Sequence, residues 1–251
     1  MPEAKRSAAR DRARFGHGWW PYLLPYLLYV GLGEFASVFG ERGWLPLLAI
    51  KPLGVAVLIV WFARRGAYPE LRGFAAERVG ISLDVAVGVA SGLLWMAPYV
   101  LVPALRPAPD GAFDAARAGA QWAGLALGLR FAGYVLVTPV FEELFIRSFA
   151  MRYAEVFDTG RDFRDVPIAH YSPKSLLISS VLFTLGHAFW EWWVALPWVV
   201  LTSLWFYRRG HLGSVIVVHA AANATILLSA VLASGVFPDG QGGTLSLWFF
   251  V

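Results

Sequence analysis

Three apolar stretches of this chain carry polar side chains at helical spacing. The first reads Phe141-Glu142-Glu143-Leu144-Phe145-Ile146-Arg147, the second Phe183-Thr184-Leu185-Gly186-His187, and the third His219-Ala220-Ala221-Ala222-Asn223. Asn223 is the only asparagine in 251 residues, and it sits within the apolar run 215–233. A buried ionisable or amide group in hydrocarbon is strongly unfavourable unless it is paired, so its presence in such a run points to a use. Two carboxylates, two imidazoles and one carboxamide, converging inside a membrane, are the parts for activating a water and holding an oxyanion.

Each motif also has a plainer reading. Glu143 precedes Arg147 by four residues, the favoured order for a helical ion pair. Such a pair would clamp Glu143 and neutralise the arginine, leaving Glu142 about 100° around the helix as a free carboxylate. Two glutamates at the membrane interface, where a span ends, would look the same. Phe183 and His187 share one helix face, and so do His187 and Glu191, so a hydrogen-bonded core histidine or an intrahelical pair competes with a catalytic role. His219 and Asn223 share a face from which both can donate toward one point, as a developing tetrahedral oxyanion requires. Their plainer role is hydrogen bonding between membrane helices. The match of Asn223-Ala224-Thr225 to a glycosylation sequon lies too deep in its span to count.

The elements that must position these groups are membrane helices. The chain is 58% hydrophobic and 15% charged, with 12 tryptophans and a mean hydropathy of +0.57, which places it with polytopic membrane proteins. About seven spans are predicted, at 20–40, 44–62, 81–105, 122–140, 175–190, 191–207 and 214–234. The fifth and sixth are short and form a tilted hairpin or a partly re-entrant pair. Lys and Arg alternate with the loops: Lys5, Arg6, Arg10, Arg12 and Arg14; then Arg64, Arg65, Arg72 and Arg78; then Arg147, Arg152, Arg161, Arg164 and Lys174; then Arg208 and Arg209. Only Arg42, Arg106 and Arg117 fall on the other side. The positive-inside rule then puts the N-terminus in the cytoplasm and the C-terminus outside. The same loops account for the net charge of +4 without any nucleic-acid partner. The absence of cysteine excludes disulfides, thiolate metal ligands, a cysteine nucleophile and a lipidated cysteine anchor. The basic start precedes a full-length span with no small-residue cleavage site, which favours an uncleaved first helix over a signal peptide.

The predicted fold is therefore an all-α polytopic membrane bundle. It has a basic cytoplasmic segment at 1–18, scaffold helices over 19–118 and the chemistry over 119–251. The longest polar stretch, Tyr153 to Lys174, is either a flap over the site or a connection. The site is expected to open toward the cytoplasmic side near Glu142.

Taken together and in order, Glu142 to Arg147, Phe183 to His187 and His219 to Asn223 resemble the EExxxR, FxxxH and HxxxN signatures of the CPBP family. That family comprises the Rce1-like CAAX proteases and bacteriocin-processing or self-immunity proteins. The resemblance covers residues 120–233. It implies an intramembrane glutamate protease without cofactor or metal, in which Glu142 and His187 hold and deprotonate the attacking water. It further implies that His219 and Asn223 stabilise the oxyanion, with Glu143, Arg147 and Phe183 as support. The Ala-, Arg- and Gly-rich usage suggests a high-GC bacterium and its inner membrane, where prenylated substrates are not expected. The implied substrate is then another membrane-anchored protein, and the chain resembles the branch that accompanies exosortase-type sorting systems.

Three rivals remain open at this level. Glu142, His187 and His219 make a three-ligand zinc set with one open position, although no HExxH is present. A non-catalytic binding or immunity protein would keep the same helices. A transporter could use Glu34, Lys51, Asp84 and Arg130, which otherwise read as paired or snorkelling groups.

Overall fold

Spanning structures must satisfy their backbone polar groups internally, so an apolar chain of this kind folds as helices. The computed structural model describes residues 18–72, 78–107 and 112–251, leaving aside the side chains of 35–44, 78 and 79. The basic segment with Lys5, Arg6, Arg10, Arg12 and Arg14, and the side chain of Arg42, lie outside the described residues. Among the described residues there are helices and no strands. The principal helices are α1 (Trp20–Arg64), α2 (Arg78–Leu101), α3 (Ala123–Tyr153), α4 (Pro173–Leu185), α5 (Trp192–Arg209) and α6 (Leu212–Ala233).

α1 is helical along its whole length, yet Gly33 lies against the Lys51 ammonium and Gly54 against Leu28. Tyr22 also donates to the Ala67 carbonyl. A straight helix would hold Gly33 and Lys51 about 27 Å apart. The stretch therefore doubles back into two antiparallel arms, 20–34 and Leu45–Arg64, which correspond to the first two predicted spans.

Among the described residues, four stretches are long and apolar enough to cross a membrane: Leu45–Arg64, Gly80–Leu101, Ala123–Tyr153 and Leu212–Ala233. Large leucines such as Leu94, Leu101, Leu177 and Leu232 face outward from the bundle, as they do against lipid. The protein is an integral membrane protein. Two boundaries differ from the sequence reading. The span expected at 122–140 runs on to Tyr153, so Glu142, Glu143 and Arg147 stand inside a helix and not at its end. The span expected at 175–190 stops at Leu185. Its 13 residues rise about 20 Å, less than the roughly 30 Å hydrocarbon core.

The charged loops gather at one end of the bundle. There Asp84 of α2 accepts from Trp205 Nε1 (2.8 Å), Ser214 Oγ (2.6 Å) and Arg209 Nε (3.1 Å). Glu70, in the turn after α1, accepts from Ser148 and lies 3.4 Å from Arg152. The polar stretch 153–174 packs on this end through buried Val156, Phe163 and Val166, and is a connection, not a flap over the cavity described below. At its end, Ser172 caps α4 by accepting from the Ser175 N–H at 3.1 Å.

The opposite end is closed by a return of the chain after α6. There Asp239 accepts from the N–H groups of Gln241 (2.7 Å) and Gly243 (2.9 Å), which hold its carboxyl below the ordinary value. The return ends with Leu245, Leu247, Phe250 and Val251 buried in the core.

The closest approach within the bundle is between α2 and α6. A Cβ added at Gly88 would sit 2.4 Å from the Val218 carbonyl, and one at Gly92 would sit 2.7 Å from the Ala222 carbonyl. Gly88 and Gly92 form a small-xxx-small face that lets two backbones meet, and the helix they meet carries His219 and Asn223 on another of its faces. Gly92→Val is expected to lower stability by about 1–3 kcal/mol and to displace α6, read as a lower midpoint of thermal unfolding for protein in detergent. An unchanged midpoint would show that this contact is dispensable.

Candidate active site

The double glutamate sits on an irregular part of α3. Pro139 has no N–H to donate, and the α-helical turn around it (Thr138–Glu143) is flanked by π-helical segments, Ala132–Val137 and Leu144–Ala150. π turns inside helices recur at functional sites. Here one of them presents the Tyr134 carbonyl sideways, where it accepts from Asn223 Nδ2 at 2.8 Å.

The two adjacent glutamates face different surroundings. The Glu143 side chain is 0% exposed and lies 3.2 Å from Arg147 NH1, so the ion pair read from the spacing is present. Arg147 NH2 also donates to Thr202 Oγ1 at 2.7 Å, and its guanidinium lies over the Phe183 ring at 5.4 Å. The other oxygen of Glu143 accepts from His219 Nδ1 at 2.8 Å. That bond makes Nδ1 the N–H of His219 and turns Nε2 toward Glu142, 3.8 Å away. The Glu142 side chain is 19% exposed and lines an internal cavity of about 390 Å³.

Phe183, His187, His219 and Asn223 line the same cavity. Every residue expected at the site is thus either on its wall or, for Glu143 and Arg147, directly behind it. His187 follows the end of α4, where Gly186 breaks the helix. Its Nδ1 donates to the Phe183 carbonyl at 2.8 Å, which leaves Nε2 as the lone-pair nitrogen of the neutral ring. The competing pair with Glu191 does not form. Glu191 lies beyond the helix in a 3₁₀ turn and accepts from the Ala188 N–H at 3.2 Å. Phe183 stacks on Trp198, with ring centroids 5.2 Å apart, and its ring is 4.4 Å from that of His187, so it acts as a wedge between the histidine and α5.

Sequence reasoning missed part of the wall. Tyr29, Trp95, Arg130, Tyr134, Glu191 and Trp198 also line the cavity, as do Phe249 to Val251 of the returning chain. From Glu142 the cavity therefore runs toward the arginine-poor end, opposite to the expected opening. Thr138-Pro139 within an apolar span was an available signal of the irregular helix. Of the charged groups read as paired, Asp84 is paired with Arg209 and Lys51 lies 3.7 Å over the Tyr29 ring, whereas Arg130 has no ion pair among the described residues.

A zinc set was one alternative for Glu142, His187 and His219. Among the described residues no three His, Cys, Asp or Glu side chains are grouped closely enough to hold one ion. A second, apolar cavity of about 610 Å³ lies between α2 and α5, and it shares Trp95 and Trp198 with the first.

Residues 124–225 match the family model for type II CAAX prenyl endopeptidase Rce1-like proteins. The matched region contains all seven residues of the three motifs. No curated protein and no solved structure matches the chain.

The Glu143–Arg147 pair is fully buried, and removing one partner leaves the other uncompensated. Arg147→Ala is expected to cost about 3–5 kcal/mol of stability, measured by chemical or thermal unfolding in detergent. A loss below about 1 kcal/mol would place the pair among weak surface contacts.

Proposed function

With an Rce1-like region over 124–225 as the premise, we propose that this protein is an intramembrane endopeptidase. It hydrolyses a peptide bond of a membrane-anchored protein with a water activated between Glu142 and His187. The observation that carries this reading is the convergence of Glu142, His187, His219 and Asn223 on one cavity within the bundle, with each ring or amide held by a separate hydrogen bond. The family of the matched region implies a protease of the CAAX type. The glutamate mechanism and the individual roles are this proposal's own.

The steps follow from the donors and acceptors present. Water in the cavity gives a proton to the Glu142 carboxylate while its oxygen attacks the scissile carbonyl carbon. His187 Nε2 accepts the water's second hydrogen and orients it. The carbonyl oxygen becomes an oxyanion. Asn223 Nδ2, one hydrogen of which is committed to Tyr134, turns its other hydrogen toward that oxygen. His219 donates from Nε2 when both its nitrogens carry protons, with Glu143 accepting from Nδ1 throughout. Collapse of the intermediate breaks the C–N bond, and Glu142 returns its proton to the leaving amine. No step calls for a metal or a cofactor. The gathering of Arg64, Arg65, Arg152, Arg208 and Arg209 at one end supports an orientation with that end, and the N-terminus, in the cytoplasm of a bacterial inner membrane.

Glu142→Ala and His187→Ala are each expected to lower turnover at least about 10²-fold, and Asn223→Ala about 10²- to 10³-fold, with the protein still folded. Mapping membrane-protein termini in host cells carrying the native protein or Glu142→Ala at equal abundance provides the readout. Termini that vanish in the mutant identify the substrate. Identical termini in both, alongside a phenotype that needs the protein, would replace the peptidase reading with a binding one.

A further inference from the structure

Arg130 belongs to the cavity but not to the machinery just described. It lies twelve residues before Glu142 on α3, about 18 Å along the axis, too far to touch the reacting atoms. Its Nε is sealed from solvent and has no hydrogen-bond partner among the described residues. Its neighbours are the faces of Tyr134 and Phe113, 5.3 and 5.6 Å from the guanidinium carbon. Arg130 as a whole is half-buried, whereas the fully buried charged groups among the described residues are compensated: Arg147 by Glu143, Arg152 by Glu70 and Asp84 by Arg209. Of the side-chain carboxylates on the cavity wall, Glu142 stands beside His219 and Glu191 accepts from Ala188. A guanidinium within a membrane protein that lacks an anion is unfavourable. A transient anion would relieve that cost each time it binds. Arginine's planar fork suits a carboxylate better than any other side chain does.

We propose that Arg130 is a specificity-determining residue that binds the free terminal carboxylate of the peptide being cut, and so sets where along that peptide Glu142 acts. This rests on the peptidase reading of the cavity. The rings of Phe113 and Tyr134 lie 5.6 and 5.3 Å from the guanidinium carbon, and such cation–π contacts leave the outer N–H groups for incoming oxygens. An amide or an internal peptide bond at the same position would leave the charge unanswered. The protein therefore distinguishes chain ends from chain interiors.

The test measures binding, so that it does not depend on turnover. The full chain carrying Glu142→Gln is placed in nanodiscs of zwitterionic lipid. It is titrated with fluorescein-labelled apolar hexapeptides of one sequence that end in a carboxylate, in a carboxamide, or in a carboxamide with an internal glutamate. The carboxylate-ended probe is expected to bind at least about tenfold more tightly than the other two. Adding Arg130→Gln should bring its affinity down to that of the amide probe without changing the amide's, and Arg130→Lys should restore part of the preference. Equal affinity for all three probes, no binding of any probe, or a preference that survives Arg130→Gln overturns the proposal. So does a preference abolished by adding phosphatidylglycerol to the discs through an Arg130-dependent competition, which would assign the site to a lipid headgroup. Should Arg130→Gln fail to fold, the acid-against-amide ratio in the Arg130 protein and its partial retention in Arg130→Lys still decide the matter. Failure of the active chain to cut any membrane protein would sink the peptidase reading and leave this binding result standing.

Discussion

The buried carboxylate of Glu143 is the contact on which the rest of the site depends. One of its oxygens faces Arg147 and the other accepts from His219. Arg147 in turn reaches Thr202 on α5 and lies over Phe183 on α4. A single ion pair on α3 thereby ties that helix to α4, α5 and α6. Neither partner could be tolerated alone away from water, and neither can shift without leaving the other unsatisfied. The geometry of the histidine is thus set by an electrostatic requirement, not by apolar packing alone. The neighbouring Glu142, one position earlier, is released from that structural duty and faces open space.

The same need for fixed geometry explains the glycine face of α2. His219 and Asn223 sit on α6, a helix whose composition is otherwise small and aliphatic and which has few directional contacts of its own. Close approach of Gly88 and Gly92 to the Val218 and Ala222 carbonyls holds that helix from behind. The hydrogen bonds to Glu143 and Tyr134 hold it from the front. Close backbone packing on one side and polar contacts on the other define both its rotation and its depth.

Much of this was legible because i, i+4 spacing is a local property. It exposed the Glu143–Arg147 pair, the shared face of His219 and Asn223, and the membrane character of the helices. What escaped depends on partners distant in the chain. A hydropathy window ends where charges begin, so 122–140 was closed before Glu142, although Glu143 and Arg147 pair with each other inside the helix and are hydrogen-bonded by α5 and α6, and the helix continues to Tyr153. Spacing likewise suggested a His187–Glu191 pair, which the break at Gly186 prevents. Arg130 reads from sequence as a paired or snorkelling group. What distinguishes it is that, among the described residues, no carboxylate lies within ion-pair distance and its Nε has no hydrogen-bond partner. The direction of the cavity was not readable at all, since residues 249–251 join its wall only through the return of the chain after α6.

Trp95 and Trp198 line both the polar cavity and the larger apolar one between α2 and α5. One layer of indole therefore separates a chamber suited to water from a recess suited to hydrocarbon. The dielectric constant must change steeply across the thickness of a single ring. A rotamer change in either tryptophan would join the two spaces, wetting one or greasing the other. The fidelity of the proposed hydrolytic site at this depth would then rest on the stiffness of two side chains, and bilayer lipids pressing on the outer face of that partition would become part of its environment.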